Sequence, residues 1–347
     1  MHAEATLSAM ILATAILVVA YALIFTEVIH RTLAAVIGAV AMVAVGLAAG
    51  FYSQAGAVAA VDANTMFLLM GMMVLVVLLK PTGGFEYLAI RIAKAAKGSP
   101  ARLLVYLSTT VTLISLVLDN VTTVLVFAPL TVVISRLLGI NPVPYLMACA
   151  LLSNTGGVAT LVGDPPNVMI GSAANIDFNT FLFHMGPIIL VAWLATLLTL
   201  LTMFRKELGH EIDEVLDLDE AKALKDKRGL IAVCFAIAVV IALFFIHHRF
   251  HLFPGYVAWV GVAVALALVR PDPEEFLKEI DWSLLVFFAG LFIIVGGVEG
   301  SGLLDLVGEQ LVSVAQDPAK LLVTALVVMW VSAVLSAAVD NIPFTVT

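Results

Sequence analysis

The chain has 347 residues, of which 62% are hydrophobic and only 12% charged, and its formal net charge is −8. Soluble domains run nearer half apolar and a quarter charged, so a mean hydropathy of +1.12 excludes a soluble globular protein. The acidic balance excludes a nucleic-acid footprint, and the two cysteines, Cys149 and Cys234, make neither a metal set nor a disulfide framework and read as small core hydrophobes.

The first eight residues, MHAEATLS, carry no Lys or Arg and no small-residue cleavage site, so Leu7–Phe25 reads as a retained span and not a signal peptide. Leu33–Phe51, Leu182–Phe204 and Leu230–Ile246 are of similar length, close to the ~20 residues a helix needs to cross the hydrocarbon core. With the N-terminus outside, segments 27–32, 80–102, 135–144, 205–229 and 270–282 fall inside and hold 15 of the 17 basic residues. This asymmetry predicts a multi-pass protein of the plasma or inner membrane in that orientation.

Matching landmarks recur along the chain. Asp62 and Asp281 each open an apolar segment with a glycine nine residues on (Gly71, Gly290), followed by a glycine-containing turn and then an apolar limb ending in Asp-Asn. Asp62 and Asp281 are 219 residues apart, and Asp119 and Asp340 are 221 apart. The charge count puts Asp62 outside and Asp281 inside, which predicts two repeats of opposite orientation, a plan that places a site at the midplane of secondary transporters. The expected division is a first repeat over 1–204, a solvated, partly helical linker over 205–229 and a second, incomplete repeat over 230–347. The expected fold class is thus an all-α polytopic membrane protein with inverted-topology repeats, re-entrant hairpins and a discontinuous helix.

The hairpin expectation rests on residues 118–123, Leu-Asp-Asn-Val-Thr-Thr. An ionisable group near the bilayer centre costs roughly 2.5–3.5 kcal/mol even on the lenient insertion scale, so Asp119 marks a site by default. The limbs Leu103–Leu118 and Val121–Leu138 are short for crossings and are bounded by Arg102 and Arg136. They form either two crossings or a re-entrant hairpin. The hairpin is favoured because irregular backbone at membrane depth survives only when buried in protein or lining a cavity. Asp119, Asn120, Thr122 and Thr123 offer hard oxygen donors for a proton or small cation; the competing reading is an internally capped turn.

The discontinuous helix is expected over 145–173. Its run Ser153-Asn154-Thr155-Gly156-Gly157-Val158-Ala159-Thr160-Leu161-Val162-Gly163-Asp164-Pro165-Pro166-Asn167 cannot continue a helix. Proline costs ~3 kcal/mol inside a helix and removes a donor. A broken helix exposes N–H groups at one half and carbonyls at the other, and glycine allows close backbone approach to a small ligand.

With its DNVTT about thirty residues upstream, GGVATLVGDPPN resembles the ion transporter superfamily, over nearly the whole chain. The similarity is strongest to the branch of arsenite efflux permeases, D-type Na⁺/H⁺ antiporters and the melanosomal P protein. Its cousins are the Na⁺-coupled dicarboxylate and citrate carriers, in which Ser and Thr stand where this chain has Asp119 and Asp164. The resemblance implies that Asp119, Asn120, Thr122 and Thr123 line one half of a central site with Asn154, Gly156, Gly157, Thr160, Gly163, Asp164 and Asn167. Asp340, Asn341 and Thr345 would be second-repeat counterparts, and Na⁺ would sit at Asp119, Asn120 and Asp164. The family's second broken helix has no counterpart before Thr347, so the chain is expected to be a truncated form of a longer protein.

The function expected is secondary active transport by alternating access, with protons or cations bound at membrane aspartates and coupled to a small inorganic ion or oxyanion, as in arsenite efflux or Na⁺/H⁺ exchange. No cofactor is expected; the partners are the solute, H⁺ or Na⁺ and the bilayer, and a homodimer is compatible with the reading. The alternatives are a Na⁺-coupled citrate or dicarboxylate carrier and a passive anion channel. A remote one is an intramembrane aspartyl protease, whose Gly-x-Gly-Asp signature is missing at both aspartates.

Overall fold

The computed structural model describes residues 7–209, 223–306, 308 and 318–338. Among them there are helices, turns and no strand. Seven helices are long and apolar enough to cross a membrane: Leu7–Thr26, Arg31–Ala49, Ala63–Thr82, Asn120–Leu137, Phe178–Met203, Lys227–Phe250 and Trp282–Gly300. The four long spans read from the sequence are among these. The all-α polytopic class is therefore observed.

The chain forms two compact units, one from residues 1–66 and 281–347 and the other from Phe67–Ile280. These are divisions of packing, and the repeat division expected from the sequence is a separate matter.

In the first unit, α1 (Leu7–Thr26), α2 (Arg31–Ala49) and α3 (Gln54–Ala60) pack on α14 (Trp282–Gly300). Small residues make this packing close. Gly38 lies against Ile294, Gly290 against Ala35 and Gly297 against Met42, and the Tyr52 hydroxyl donates to Ile293 O at 3.0 Å. Asp281 caps α14 by accepting from Leu284 N at 2.9 Å. Helix α15 (Pro318–Ala338) also belongs to this unit.

The second unit holds α4 (Ala63–Leu79) from Phe67 onward, α5 (Gly84–Ala95), α6 (Pro100–Ser115), α7 (Asn120–Leu137), α8 (Val143–Gly157), α9 (Pro165–Ala173), α10 (Phe178–Met203), α11 (Lys227–Ile246), α12 (Pro254–Val269) and α13 (Pro273–Lys278). Helix α8 packs on α6, α7 and α10, and α11 packs on α12. The end of the inter-half segment is anchored: Lys225 N and Asp226 N both donate to Thr82 O, at 3.0 and 3.1 Å. Residues 210–222, the middle of the expected linker, lie outside the described residues.

The level of the α6–α7 turn follows from one hydrogen bond. Trp193 Nε1 of α10 donates to Thr112 Oγ1 of α6 at 2.9 Å, and Glu207–Gly209, just past α10, packs on α6. The two helices are therefore antiparallel. Beyond this contact α6 continues only to Ser115, whereas α10 runs back to Phe178, about 22 Å at 1.5 Å per residue. The turn at Asp119 thus lies partway along α10, and α8, the break and α9 together cover the length that α6 does not.

Candidate functional site

The tip is built by capping. Asp119 adopts φ −60°, ψ 151°, outside the helix, and its Oδ1 accepts from Thr122 N at 2.8 Å. Thr122 Oγ1 donates to Asp119 Oδ2, and Thr123 Oγ1 donates to Asp119 O at 2.9 Å. An aspartate at this position satisfies one of the orphan N–H groups of α7 and meets the positive end of its dipole. The capped-turn reading is thus realised for Asp119 in the geometry observed, and Thr122 and Thr123 turn toward the cap. Asn120 reaches outward: its Nδ2 donates to Asn154 Oδ1 of α8 at 2.6 Å.

The break follows α8. Residues 158–164 are turns and bends, and α9 starts at Pro165. Thr160 Oγ1 donates to Leu116 O at 2.6 Å, tying the break to the C-terminal end of α6, and accepts from Gly163 N at 3.0 Å. Asn167 Nδ2 closes the loop by donating to Gly157 O at 3.1 Å and Thr160 O at 2.8 Å. The broken helix expected from Gly and Pro is present, and Asn167 is its clasp.

Asp164 differs from Asp119. It occupies the N-cap position of α9, yet its side chain makes no capping bond. The reason is chemical: Pro165 and Pro166 have no N–H, and the first available donor, Asn167 N, is taken by Asp164's own carbonyl at 3.1 Å. The carboxylate is therefore not required to cap this helix, and it is only 3% exposed.

The glycines have a role that the sequence reading did not assign them. A Cβ on Gly156 would stand 2.6 Å from Thr112 O, one on Gly157 2.8 Å from Gly163 O, and one on Gly163 2.6 Å from both Gly157 O and Ser115 O. These glycines bring backbone against backbone, locking break to hairpin.

The structure thus brings together Asp119, Asn120, Asn154, Gly156, Gly157, Thr160, Gly163, Asp164 and Asn167 at the level where α6 and α8 end and α7 and α9 begin. Asp340, Asn341 and Thr345 lie outside the described residues. The residues missed from sequence are Thr112, Ser115 and Trp193. Ser115 Oγ donates to Ser153 O at 2.7 Å, and Thr112 Oγ1 lies 3.1 Å from Leu152 O. The recurrence of Ser108, Thr112 and Ser115 at helical spacing in an apolar limb was the available signal.

A polytopic helical protein whose polar groups gather at a helix break and a capped turn at one level has the architecture of a membrane transporter. The comparisons make this specific: residues 21–347 match the citrate transporter (CitMHS) family model, and the chain belongs to that family. Two uncharacterized transporters of Mycobacterium tuberculosis are 37% and 39% identical over 343 and 346 residues, each spanning 97% of this chain and 79% of the relative. A 46 kDa membrane protein of Mycobacterium leprae is 35% identical with the same coverage. The human P protein is 32% identical over 415 residues, 97% of this chain and 50% of that protein. The protein is accordingly a transporter and not an enzyme, of the superfamily the motifs resemble.

Proposed function

We propose that the protein is a secondary active transporter in which a proton or small cation bound at the Asp119–Asp164 level is coupled to movement of a small inorganic ion or oxyanion. The observation that carries this reading is Asp164. A carboxylate buried at a helix break, and not used to cap the helix that follows, marks a functional site by default, because its desolvation is tolerated where charge is part of the work. Helices α7 and α9 begin and α6 and α8 end at one level, so helix-dipole ends of both signs converge on the site. On this reading the α6–α7 pair is re-entrant, the N-terminus is outside and Na⁺, where it is the coupling ion, is held near Asp119, Asn120 and Asp164. A second reading, a cation-coupled citrate carrier, is favoured by the family's own description. Two acids at the site would repel a multivalent anion unless cations neutralise them first, which makes coupling stricter in that case.

The test is transport into proteoliposomes under an imposed pH gradient, comparing arsenite, Na⁺ and citrate. Asp164→Asn is expected to abolish the pH dependence of flux with the protein still folded. Wild-type, pH-dependent flux in both Asp119→Asn and Asp164→Asn would overturn the proposal.

A further inference from the structure

Between Tyr87 and Gly163 the chain carries five basic residues and one acidic residue, Asp119, although its net charge is −8. Asp119 sits at the tip, and the cations gather at the other end of the same helices. Arg91 and Lys94 lie toward the end of α5, Lys97 in the turn that follows, Arg102 in the first turn of α6 and Arg136 in the last turn of α7. Their chain neighbours Ile92, Leu103 and Ser135 line one cavity, and the Tyr145 hydroxyl of α8 donates to Pro100 O at 3.2 Å. The four helix ends are thereby brought together.

Helix α5 buries Phe85, Ala89, Ile92 and Ala93, and helical spacing puts Tyr87, Arg91 and Lys94 on its opposite face. Arg91 is held against Tyr87, with Nη1 donating to the hydroxyl at 2.8 Å and the guanidinium 5.9 Å from the ring centroid. Arg102 Nη2 donates to Lys97 O at 3.3 Å, which draws its guanidinium to the turn that carries a second cation. The dipole of α6 adds to this charge, and its first turn holds no acidic residue to offset it. Lys97, Arg102 and Arg136 are exposed, and none of the three makes an ion pair among the described residues. This end also bounds the apolar limbs Leu103–Leu118 and Val121–Leu138. One turn beyond Arg102, Tyr106 is 40% exposed, an aromatic of the kind enriched where acyl chains meet headgroups. We infer that this basic end is a docking surface for an anionic phospholipid, its phosphate held by Lys97, Arg102 and Arg136 and its acyl chains lying beside Tyr106. A phospholipid joins the anion that these cations lack to chains that the apolar limbs accept, whereas a soluble anion offers only the first. The surface is the same whether the limbs cross or re-enter, because Arg102 and Arg136 stay at one end in both cases.

Segment 205–229 supplies the control, since its six basic residues stand among eight acidic ones. The full chain in neutral detergent is mixed with phosphatidylglycerol or phosphatidylcholine, and the lipid retained is counted by native mass spectrometry. Phosphatidylglycerol is expected to be retained in preference. Combining Lys97→Gln, Arg102→Gln and Arg136→Gln should weaken its retention about 100-fold, at roughly fivefold for each basic residue near a lipid surface. Combining Lys97→Arg, Arg102→Lys and Arg136→Lys keeps the charge and should keep the lipid. Lys225→Gln with Lys227→Gln and Arg228→Gln removes as many charges and should change nothing. Equal retention of the two lipids, unchanged retention in the first variant, or an equal loss in either of the other two would each overturn the surface. An excess of inorganic phosphate should leave the lipid bound, and its release would show a site for small anions and overturn the lipid assignment.

Discussion

Replacing Gly163 by alanine tests whether the break is held by backbone contact. The new Cβ would stand 2.6 Å from Gly157 O, 2.6 Å from Ser115 O and 2.8 Å from Gly157 Cα. All three are main-chain atoms and cannot swing aside as a side-chain terminus would. Overpacking of this kind costs about 1–3 kcal/mol. The outward shift it forces also strains the Thr160–Leu116 and Asn167–Gly157 hydrogen bonds, each contributing about 1 kcal/mol. A loss of about 3 kcal/mol, in a unit of roughly 200 residues, corresponds to a fall of about 6–12 °C in melting temperature on the scale of soluble domains. The assay is thermal unfolding of purified protein in detergent, with Gly186→Ala as control. Gly186 lies inside α10, and a Cβ there meets only Leu182 Cδ1, at 3.9 Å, so the control should gain about 0.5–1 kcal/mol. If Gly163→Ala melts with Gly186→Ala, the break is not held as described.

Further outcomes separate capping from coupling. Asp119→Asn keeps a capping oxygen and should leave the melting temperature nearly unchanged while altering pH-dependent flux, whereas Asp119→Ala should lose about 1 kcal/mol in the same melt. Alanine replacements of Asn120 and Asn154, singly and together, should show a coupling of about 0.5–1.5 kcal/mol in a double-mutant cycle, and strict additivity would show that their 2.6 Å hydrogen bond stabilises nothing. Asp177, which caps α10 from the preceding loop, is held below the usual carboxylate range by the Thr180 hydroxyl, against an opposing effect of burial and with help from the N–H groups of Thr180 and Asn179 and from His248. The folded state therefore favours the ionised form. The resulting stability is complete above the ordinary aspartate pKa near ~3.9 and is lost as pH falls through the lower folded value. Asp177→Asn should flatten that part of the acid melting profile, and an unchanged profile would refute the assignment.

The spans were legible because length and apolarity alone decide them, and the break because a helix ending at Gly156-Gly157 cannot run on into the Pro165-Pro166 pair, which starts a new one. The Asp-Asn turn was legible for the same kind of reason: a charge inside an apolar limb needs a special location. What could not be read is which carboxylate its helix uses as a cap. Asp119 and Asp164 look alike in sequence, and the difference lies in the N–H groups that follow them, present after Asp119 and missing from the proline pair after Asp164. The glycines were legible as points of close approach but not as to what approaches. The Ser and Thr hydroxyls of α6 were hidden because such side chains commonly bond their own preceding turn, as Thr109 Oγ1 does to Val105 O at 2.8 Å. Only the contacts to Leu152 and Trp193 reveal Thr112 as a tie between helices.

The first unit is assembled from both ends of the chain. The small-residue face of α2, with Ala35 and Gly38, receives α14, yet the ribosome must make the whole of Phe67–Ile280 before α14 exists. At 5–20 residues per second that is an interval of about 10–40 s. During it α1 and α2 sit in the membrane with that face uncovered by its intended neighbour. Synthesis order therefore makes the second unit the earlier to close, and leaves the newborn α2 open to other small-faced helices until Trp282–Gly300 arrives.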